Sequence, residues 1–450
     1  MRGVRSTIAL LAVLAGLVAY IYFVTWKTPD GAATPPKERV FASLEADSIT
    51  EITVTSESGE TTTVRKDNGH WQVTAPVTAR ADEMEVSAIT SNLSTLEVSR
   101  VVDENPAGLE EYGLASPRVQ VEFAKKGDTN ARRLLLGEKS PTGGDVFARR
   151  DNEKRVFLIP GFTESFFNRT SFDLRDKTLL TFDRDTVDGI ELSSAGHTLQ
   201  FAKQGADWQI VKPVSRPADA GAVEGLVGRV QTAAMTSIVT ENAAAADVRK
   251  YGLDRPQGTL HIATGSARAT LLIGQKLDDG GNAYYARDAS RMAVVTVDGS
   301  LLDELKKTAD DYRKKALFDF RAYNTDRLEF VRDGQTIVFD KVKGADNKPD
   351  TWRRVSPAPG EPSQTNMESL IAKLENLRAS AFLDSAATTG LDKPSLTVFA
   401  KFDDGKKEER VSFVKTGSDV YSARAGETGA VKVSTTEFDD TVTALGLVAK

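Results

Sequence analysis

One order of landmark residues occurs twice in this chain and returns a third time in an altered form. The first copy starts at Trp71 and continues through Pro76, an Ala-Asp pair and a Tyr-Gly-Leu triplet to a Leu-Gly pair that ends at Gly137. The same order runs from Trp208 to Gly274, and a weaker copy starts at Trp352. The spacing is far longer than the period of a solenoid repeat, so we expect each copy to be a domain with its own core.

Within each copy, the hydrophobic pattern changes from strand to helix and back to strand. Residues 49–55 alternate between apolar and polar side chains, which is typical of a half-buried strand, and Asn68-Gly69 predicts a tight hairpin turn. Asp82 precedes apolar residues at helical spacing. Four short strands close the copy, as runs of strands around one helix do in α+β folds. The sequence therefore predicts an α+β fold, with a mostly antiparallel sheet and one main helix in each unit.

These landmarks divide the chain into five segments. They are a cytoplasmic N-terminus with a transmembrane anchor (1–27), a Pro-rich tether (28–39), a first unit (40–178), a second unit (179–315) and a divergent third unit (316–450). In the third unit Asn366 is the predicted helix cap. This unit departs from the repeat in two ways: Thr389 stands at the position of the tyrosine, and the Leu-Gly pair of its late strands is missing, with Lys415-Thr416-Gly417 as the nearest equivalent.

The N-terminal segment has the features of a membrane anchor. Arg2 and Arg5 precede an uncharged run over residues 7–26, which as a helix would span roughly 30 Å. The positive-inside rule places these arginines in the cytoplasm and the rest of the chain outside it. A cleaved signal peptide is the main alternative, but such peptides have a shorter apolar region that ends in small residues. Here the run ends in bulky aromatic residues, the last being Trp26.

Composition limits the chemistry of the protein. The sequence has no cysteine, which excludes disulfides and thiolate metal sites, and its three histidines (His70, His197, His261) are widely separated. Net charge is −6 without a basic block, so we expect no nucleic-acid partner. We predict no catalytic residue, no metal site and no cofactor.

Several repeated residues have two interpretations. Asp82 and Asp219 could be catalytic acids, but a helix cap explains both their type and their position. The Tyr-Gly-Leu turns could contact a ligand or could fill a buried turn. The tryptophans could stack on sugars, although an aromatic residue that recurs at one place in a repeat usually belongs to the core. We favour the structural interpretation in each case. The tryptophans are Trp71, Trp208 and Trp352.

Two further groups of residues have both a structural and a functional interpretation. Four phenylalanines near the end of the first unit form an apolar group that could pack at the joint or bind a partner; they are Phe162, Phe166, Phe167 and Phe172. Acidic residues at 183–191 and 278–282 superficially resemble calcium loops. Their ligand spacing is wrong for calcium, and we interpret the second group as a hairpin loop.

The order of tryptophan, proline, Ala-Asp, Tyr-Gly-Leu and Leu-Gly resembles the bacterial family described as domain of unknown function 4340. Tyr285-Ala286-Arg287 and its counterparts Phe147-Ala148-Arg149 and Tyr421-Ser422-Ala423-Arg424 add to the resemblance, which covers about residues 40–450. The resemblance implies one N-terminal membrane segment and an extracytoplasmic body. It also implies an association with auxiliary components of ABC-2-type exporters, including gliding-motility systems.

From these observations we expect a single-pass protein of the bacterial inner membrane, with the N-terminus in the cytoplasm and the bulk of the chain in the periplasm. We expect a non-catalytic binding or scaffold function, with transporter subunits or other envelope proteins as partners. One alternative is an envelope hydrolase that acts on glycan or peptide at a cleft between units. Another is a carrier of lipid or a small ligand, which would need an enclosed apolar cavity.

Overall fold

The structure is a computed structural model that describes residues 14–18, 20, 38–128, 130–141, 143–344 and 349–450. Most of the predicted anchor, most of the tether and residues 345–348 of the third hairpin turn lie outside the described residues. Among the described residues, no helix has both the length and the apolar character needed to cross a membrane.

The first antiparallel sheet has nine strands. Its order is β4-β3-β2-β1-β6-β7-β8-β9-β5. The strands are β1 (Ile49–Thr55), β2 (Thr61–Asp67), β3 (His70–Ala75), β4 (Ala79–Arg80), β5 (Arg100–Asp103), β6 (Val119–Lys125), β7 (Arg132–Lys139), β8 (Asp145–Arg150) and β9 (Val156–Pro160). The predicted turn between β2 and β3 is confirmed, because Asn68 and Gly69 both have positive φ angles.

The second sheet also has nine strands, in the order β13-β12-β11-β10-β15-β16-β17-β18-β14. This is the strand order of the first sheet, element by element. The strands are β10 (Gly189–Ser194), β11 (His197–Gln204), β12 (Asp207–Lys212), β13 (Arg216–Pro217), β14 (Ser237–Thr240), β15 (Gly258–Thr264), β16 (Ala267–Lys276), β17 (Ala283–Asp288) and β18 (Val294–Asp298).

The third sheet has eight strands, in the order β21-β20-β19-β23-β24-β25-β26-β22. The short edge strand is missing, and an isolated bridge between Arg354 and Gly360 occupies its place. The strands are β19 (Thr325–Arg332), β20 (Gln335–Val342), β21 (Thr351–Ser356), β22 (Ala379–Leu383), β23 (Leu396–Phe402), β24 (Lys407–Thr416), β25 (Asp419–Arg424) and β26 (Ala430–Val433). The fold is α+β, and its sheets are antiparallel. The chain divides into two compact units, residues 1–177 and 178–450, and the second unit contains the second and third sheets.

A 13-residue helix follows the hairpin region of each sheet and buries an apolar stripe. These long helices are Glu83–Thr95, Ala220–Thr232 and Gln364–Asn376. In the part of the chain described from residue 38 onward, the other α-helices are Glu164–Phe167, Ala245–Lys250, Ser300–Leu305, Ala309–Tyr312 and Thr435–Val448. Short 3-10 turns lie at Ala46–Ser48, Glu110–Tyr112, Gly161–Thr163 and Arg184–Thr186.

The prediction of one main helix in each unit is wrong for the third sheet. The helix Thr435–Val448 has 14 residues and packs against the helix Gln364–Asn376. Ser434 caps it, accepting a hydrogen bond from the amide of Glu437 at 3.4 Å. The sequence carried this signal, since Ser-x-x-Glu is a capping-box pattern.

The Tyr-Gly-Leu turns belong to small secondary cores beside the first two sheets. Leu114 and Leu253 are each 2% exposed, and the rings of Tyr251 and Tyr285 lie 4.4 Å apart. The turn requires glycine in the facing strand. A Cβ atom added to Gly274 would lie 2.2 Å from the carbonyl oxygen of Tyr251, closer than any side chain allows. The Leu-Gly pair therefore recurs because the backbone of the Tyr-Gly-Leu turn lies against the backbone of the strand at this glycine.

In the third sheet the facing strand has no glycine at the point where the turn approaches it. The strand register places Val414 at the position that Gly137 and Gly274 occupy in the other sheets. The residues just before them, Phe413, Leu136 and Ile273, each pair with the equivalent residue of the next strand. A Cβ atom added to Gly390 would lie 3.7 Å from Val414, so the turn stands farther from the strand. Thr389 is 1% exposed and its carbonyl accepts a hydrogen bond from Thr416 at 2.9 Å. Loss of the Leu-Gly pair thus accompanies a wider turn.

Replacement of Gly274 by alanine tests this close approach. We expect Gly274→Ala to destabilise the protein by about 3 kcal/mol, because the new methyl group overlaps the Tyr251 carbonyl oxygen. The control is Gly225→Ala in the helix Ala220–Thr232, where a Cβ atom meets nothing within 4 Å. That control should stabilise by roughly 0.5–1 kcal/mol. Urea unfolding measures both, and equal midpoints for parent and Gly274→Ala would contradict the argument.

Candidate binding site at the joint of the second and third sheets

One stretch of backbone, residues 312–320, is shared by the second and third sheets; we call it the joint segment. Arg313 forms a bridge with Ala218 beside the second sheet, and Ala316 forms one with Arg378 beside the third. The amide of Leu317 donates to the carbonyl of Leu377 at 3.2 Å. Backbone hydrogen bonds to both sides fix the position of the side chains that this segment carries.

A partly buried charge cluster lies at the C-terminal end of the joint segment. Arg424, at the end of β25, contacts Glu409 of β24 at 2.7 Å and Asp319 at 2.9 Å. Glu409 also accepts from the backbone amides of Asp319 and Phe320, both at 3.1 Å, and its side chain is only 6% exposed. Lys314 pairs with Asp319 from within the segment. The cluster thereby ties the joint to β24 and β25.

The pKa values of the two carboxylates in the cluster are shifted in opposite directions. Burial raises the pKa of Glu409 above its usual value of 4.5, and the attraction of Arg424 does not offset this. Burial also acts against the charge on Asp319, but hydrogen bonding and attraction from Lys314 and Arg424 lower its pKa below 3.8. Carboxylates with separated pKa values are typical of acid–base pairs, although structural ion pairs produce the same pattern.

The cluster forms one side of a cleft of about 650 Å³, which we call the charged cleft. Its remaining wall comes from β19, β23 and β24. Glu329, Phe399 and Arg410 form one row across these strands. The guanidinium of Arg410 lies 5.0 Å from the centre of the Phe399 ring. The other charged residues that line the cleft are Arg327, Lys401, Lys407 and Glu408.

This arrangement can bind a segment that carries both charges and apolar groups. Charged side chains of both signs orient a partner, and an aromatic ring beside an arginine offers an apolar contact surface with a cation above it. Arginine and aromatic residues are the types most enriched in protein interfaces. The chemistry of the charged cleft therefore matches a polypeptide better than a purely apolar or purely anionic ligand.

The sequence alone does not indicate the charged cleft. Its residues come from positions far apart in the chain, and they do not recur in the other sheets: the register equivalents of Glu409 are Arg132 and Ala269. One local signal existed in the charged run 406–410, where strand alternation places Glu409 on the same face as buried Val411.

The repeated aspartates are helix caps, as predicted. Asp82 accepts from the amides of Met84 and Glu85 at 3.0 and 3.2 Å, and Asp219 accepts from Ala222 at 2.9 Å. The prediction of Asn366 as the third cap is wrong. Ser363 holds that position and accepts a hydrogen bond from the Asn366 amide at 3.4 Å. A serine hydroxyl satisfies the free amides of the first turn in the same way as a carboxylate.

The three tryptophans belong to the core, as predicted, since Trp71, Trp208 and Trp352 are 5%, 2% and 6% exposed. Each also touches the long helix that follows it. The amide of Trp71 donates to Glu83 at 2.8 Å, the indole of Trp208 donates to Glu224 at 2.9 Å, and Trp352 exchanges hydrogen bonds with Gln364. Their rings are not available to stack on a sugar.

The phenylalanine group and the two acidic groups contain residues with local structural roles. Phe167 is fully buried in the first core, whereas Phe162 is 72% exposed, so these two do not share one surface. Asp183 caps the turn Arg184–Thr186, and Asp279 accepts from the Gly281 amide at 2.8 Å in the hairpin between β16 and β17. Within the described residues, no group of three or more side chains is placed to ligate a metal ion.

Comparison with known proteins agrees with the landmarks. The family described as "Domain of unknown function (DUF4340)" matches residues 71–209 and again residues 208–394. The chain belongs to this DUF4340 family. The two matches begin at the tryptophans of the first and second sheets, and no curated protein matches the DUF4340 chain. Among solved structures, the DNA polymerase III subunit beta from Pseudomonas aeruginosa aligns over 86% of this chain and 92% of its own, at 9% identity. Its TM-score of 0.15 is far below the level of a shared fold.

The capping role of Asp219 in this DUF4340 protein can be tested by paired substitutions. Asp219→Ala should destabilise the protein by about 1 kcal/mol, because the first turn loses a hydrogen-bond acceptor. Asp219→Ser should recover most of that loss, because serine also caps. Urea unfolding measures the difference. Equal losses in the two variants would show that the carboxylate acts in some other way.

Acid titration tests the charge cluster. The lowered pKa of Asp319 contributes stability above pH 3.8, and this is lost as the pH falls through the folded-state pKa. Asp319→Asn should therefore flatten the acid limb of the stability curve. The raised pKa of Glu409 has the opposite sign: its contribution is present below pH 4.5 and is lost as the pH rises through the folded-state value. Glu409→Gln should abolish that loss.

Thermal unfolding between about pH 3 and pH 7 measures these slopes. The exposed Asp333, whose side chain is 80% exposed, provides the control variant Asp333→Asn. Relative to the parent, the two variants should change the slope of stability against pH in opposite directions. Changes of the same sign for Asp319→Asn and Glu409→Gln would contradict the assignment of opposite pKa shifts.

Proposed function

We propose that this protein is a non-catalytic, membrane-anchored binding protein outside the cytoplasm, and that its charged cleft holds a polypeptide segment of an envelope partner. The observation that carries the proposal is the charged cleft itself. It places the row of Glu329, Phe399 and Arg410 beside a charge cluster fixed by the joint segment. A cleft whose walls are held by backbone pairing is pre-organised, so binding orders few protein groups.

The partner class follows from the anchor and the family. The uncharged run over residues 7–26 supports a single-pass inner-membrane location with the body in the periplasm. The family resemblance associates such proteins with ABC-2-type exporters. We infer that the charged cleft binds a periplasmic segment of an exporter subunit, and that the protein acts as its auxiliary component.

We further infer that the chain consists of three tandem units, residues 40–178, 179–315 and 316–450. The shared strand order supports this inference, and so does the recurrence of a buried tryptophan at one place in each sheet. A cis proline follows β3, β12 and β21 in the same way (Pro76, Pro213 and Pro357). In this arrangement the third unit carries the binding function.

The second candidate is an envelope hydrolase that cleaves glycan or peptide in the charged cleft. It is favoured by one observation, the opposite pKa shifts of Glu409 and Asp319 around Arg424. Against it, Glu409 already accepts from two backbone amides and Arg424, so the carboxyl group is occupied by structural donors. Binding is the better-supported function, because it requires no change in the hydrogen bonds and ion pairs that hold Glu409.

Affinity purification from native membranes tests the proposal. We expect a C-terminally tagged chain in mild detergent to co-purify exporter subunits, identified by mass spectrometry. The double variant Phe399→Ala with Arg410→Gln should reduce that recovery at least tenfold, because it removes the aromatic surface and the cation above it. The control is Arg133→Gln, which changes the register equivalent of Arg410 on the first sheet.

Two results would overturn this proposal. Recovery of no exporter subunit with the parent chain would reject the partner class. Hydrolysis of envelope glycan or peptide by the purified chain, abolished by Glu409→Gln, would establish the enzyme instead.

A further inference from the structure

A second, smaller cavity lies on the N-terminal side of the joint segment. Its volume is about 50 Å³, and its walls come from both sheets. Arg216 and Pro217 of β13 line it from the second sheet, while Phe382, Ser422 and Gly429 line it from the third. One water molecule needs roughly 10–15 Å³ of such space, so the cavity accommodates a group of several atoms. We call it the joint cavity.

The lining of the joint cavity is strongly cationic. Arg216, Arg313, Lys314, Lys315 and Arg424 line it together with a single carboxylate, that of Glu427. The cations at 314 and 424 are compensated by Asp319, and Arg313 contacts Asp310 at 3.3 Å.

Two of these cations lack such compensation. Arg216 and Lys315 have no ion pair with any residue that the structure describes; Arg216 donates only to the carbonyl of Ser215. A cavity that gathers uncompensated positive charge attracts an anion.

Ser422 supplies an independent observation. It lines the joint cavity, it is 1% exposed, and its hydroxyl has no hydrogen-bond partner in the described structure. A buried hydroxyl without a partner is destabilising, so its presence in a core strand requires an explanation. Strand register places Ala148 and Ala286 at the same position of the first two sheets. The fold therefore accepts alanine here, and the hydroxyl is specific to the third sheet.

We propose that the joint cavity is a binding site for a small oxyanion, either a free phosphate or the carboxylate of a peptide or metabolite. The Ser422 hydroxyl donates a hydrogen bond to the anion, and Arg216 and Lys315 provide the charge that holds it. Serine hydroxyls and arginine guanidinium groups are common donors to both kinds of oxyanion. Because the donors come from β13, the joint segment and β25, a bound anion contacts both sheets. The joint cavity shares Arg424 with the charged cleft, but its proposed anion ligands, Arg216, Lys315 and Ser422, do not line the cleft.

The test uses the full chain in detergent, titrated with inorganic phosphate, sulfate and acetate at constant ionic strength. Isothermal calorimetry and thermal unfolding report binding. We expect saturable binding of at least one of these anions, with an increase in melting temperature. Stronger binding of phosphate would identify a tetrahedral oxyanion as the ligand, whereas stronger binding of acetate would identify a carboxylate.

Variants locate the site. Arg216→Gln and Lys315→Gln should each raise Kd at least tenfold, and Ser422→Ala should raise it about threefold to tenfold, consistent with one lost hydrogen bond. Ser422→Ala should fold normally, because alanine occupies this position in the other sheets. Lys343→Gln is the control for loss of one positive charge, since Lys343 pairs with Asp404 on the exposed surface.

The proposal is overturned if none of the three anions binds saturably, or if the three cavity variants bind as tightly as the parent. It is also overturned if the Lys343→Gln control loses as much affinity as the cavity variants, which would indicate nonspecific charge screening. These outcomes are measured on the purified chain without a partner, so they are distinguishable from the exporter co-purification, which tests the charged cleft.

Discussion

Each sheet must bury one face, and a helix of 13 residues packs on it, joined in the third sheet by the helix Thr435–Val448. That constraint explains most of the landmarks. The tryptophan at the start of the third strand reaches the helix, and hydrogen bonds such as the 2.8 Å contact from Trp71 to Glu83 fix the helix against the hairpin. The capping aspartate begins the helix where its apolar stripe faces the sheet. Because these residues serve burial, their recurrence follows from repetition of a fold and does not indicate repetition of a catalytic site.

The sequence was most informative where structure depends on neighbours along the chain. The Asn68-Gly69 turn, the Asp82 and Asp219 caps and the alternation of β1 all follow from local geometry, and the structure confirms them. The terminal helix was missed, although Ser434 and Glu437 form a capping pattern, because the repeat supplied no counterpart to suggest it. The charged cleft could not be predicted, since Asp319 and Glu409 meet only through pairing of strands distant in sequence.

Departures from the repeat concentrate in the third sheet. Val414 replaces a glycine, Ser422 replaces alanine, and Glu409 stands where the other sheets have Arg132 and Ala269. Two of these changes place polar or charged groups on the buried side of a strand, where they cost stability unless they are paired. Sites where a sequence breaks its own structural rules are where function is expected. At the position of Ser422 the first two sheets have alanine, so they serve as internal references for the third.

Arg424 links the two features of the joint. It lines both the charged cleft and the joint cavity, and it contacts Asp319, Glu409 and the carbonyl of Leu317. An anion in the cavity would compete with these carboxylates for the same guanidinium group. Any such competition must act in both directions, because coupling between two binding equilibria is reciprocal. A ligand that weakens the hold of Asp319 on Arg424 would change the charge presented by the cleft, and a partner in the cleft would change the anion affinity equally. The joint segment, bonded to both sheets, is the element through which that coupling would pass.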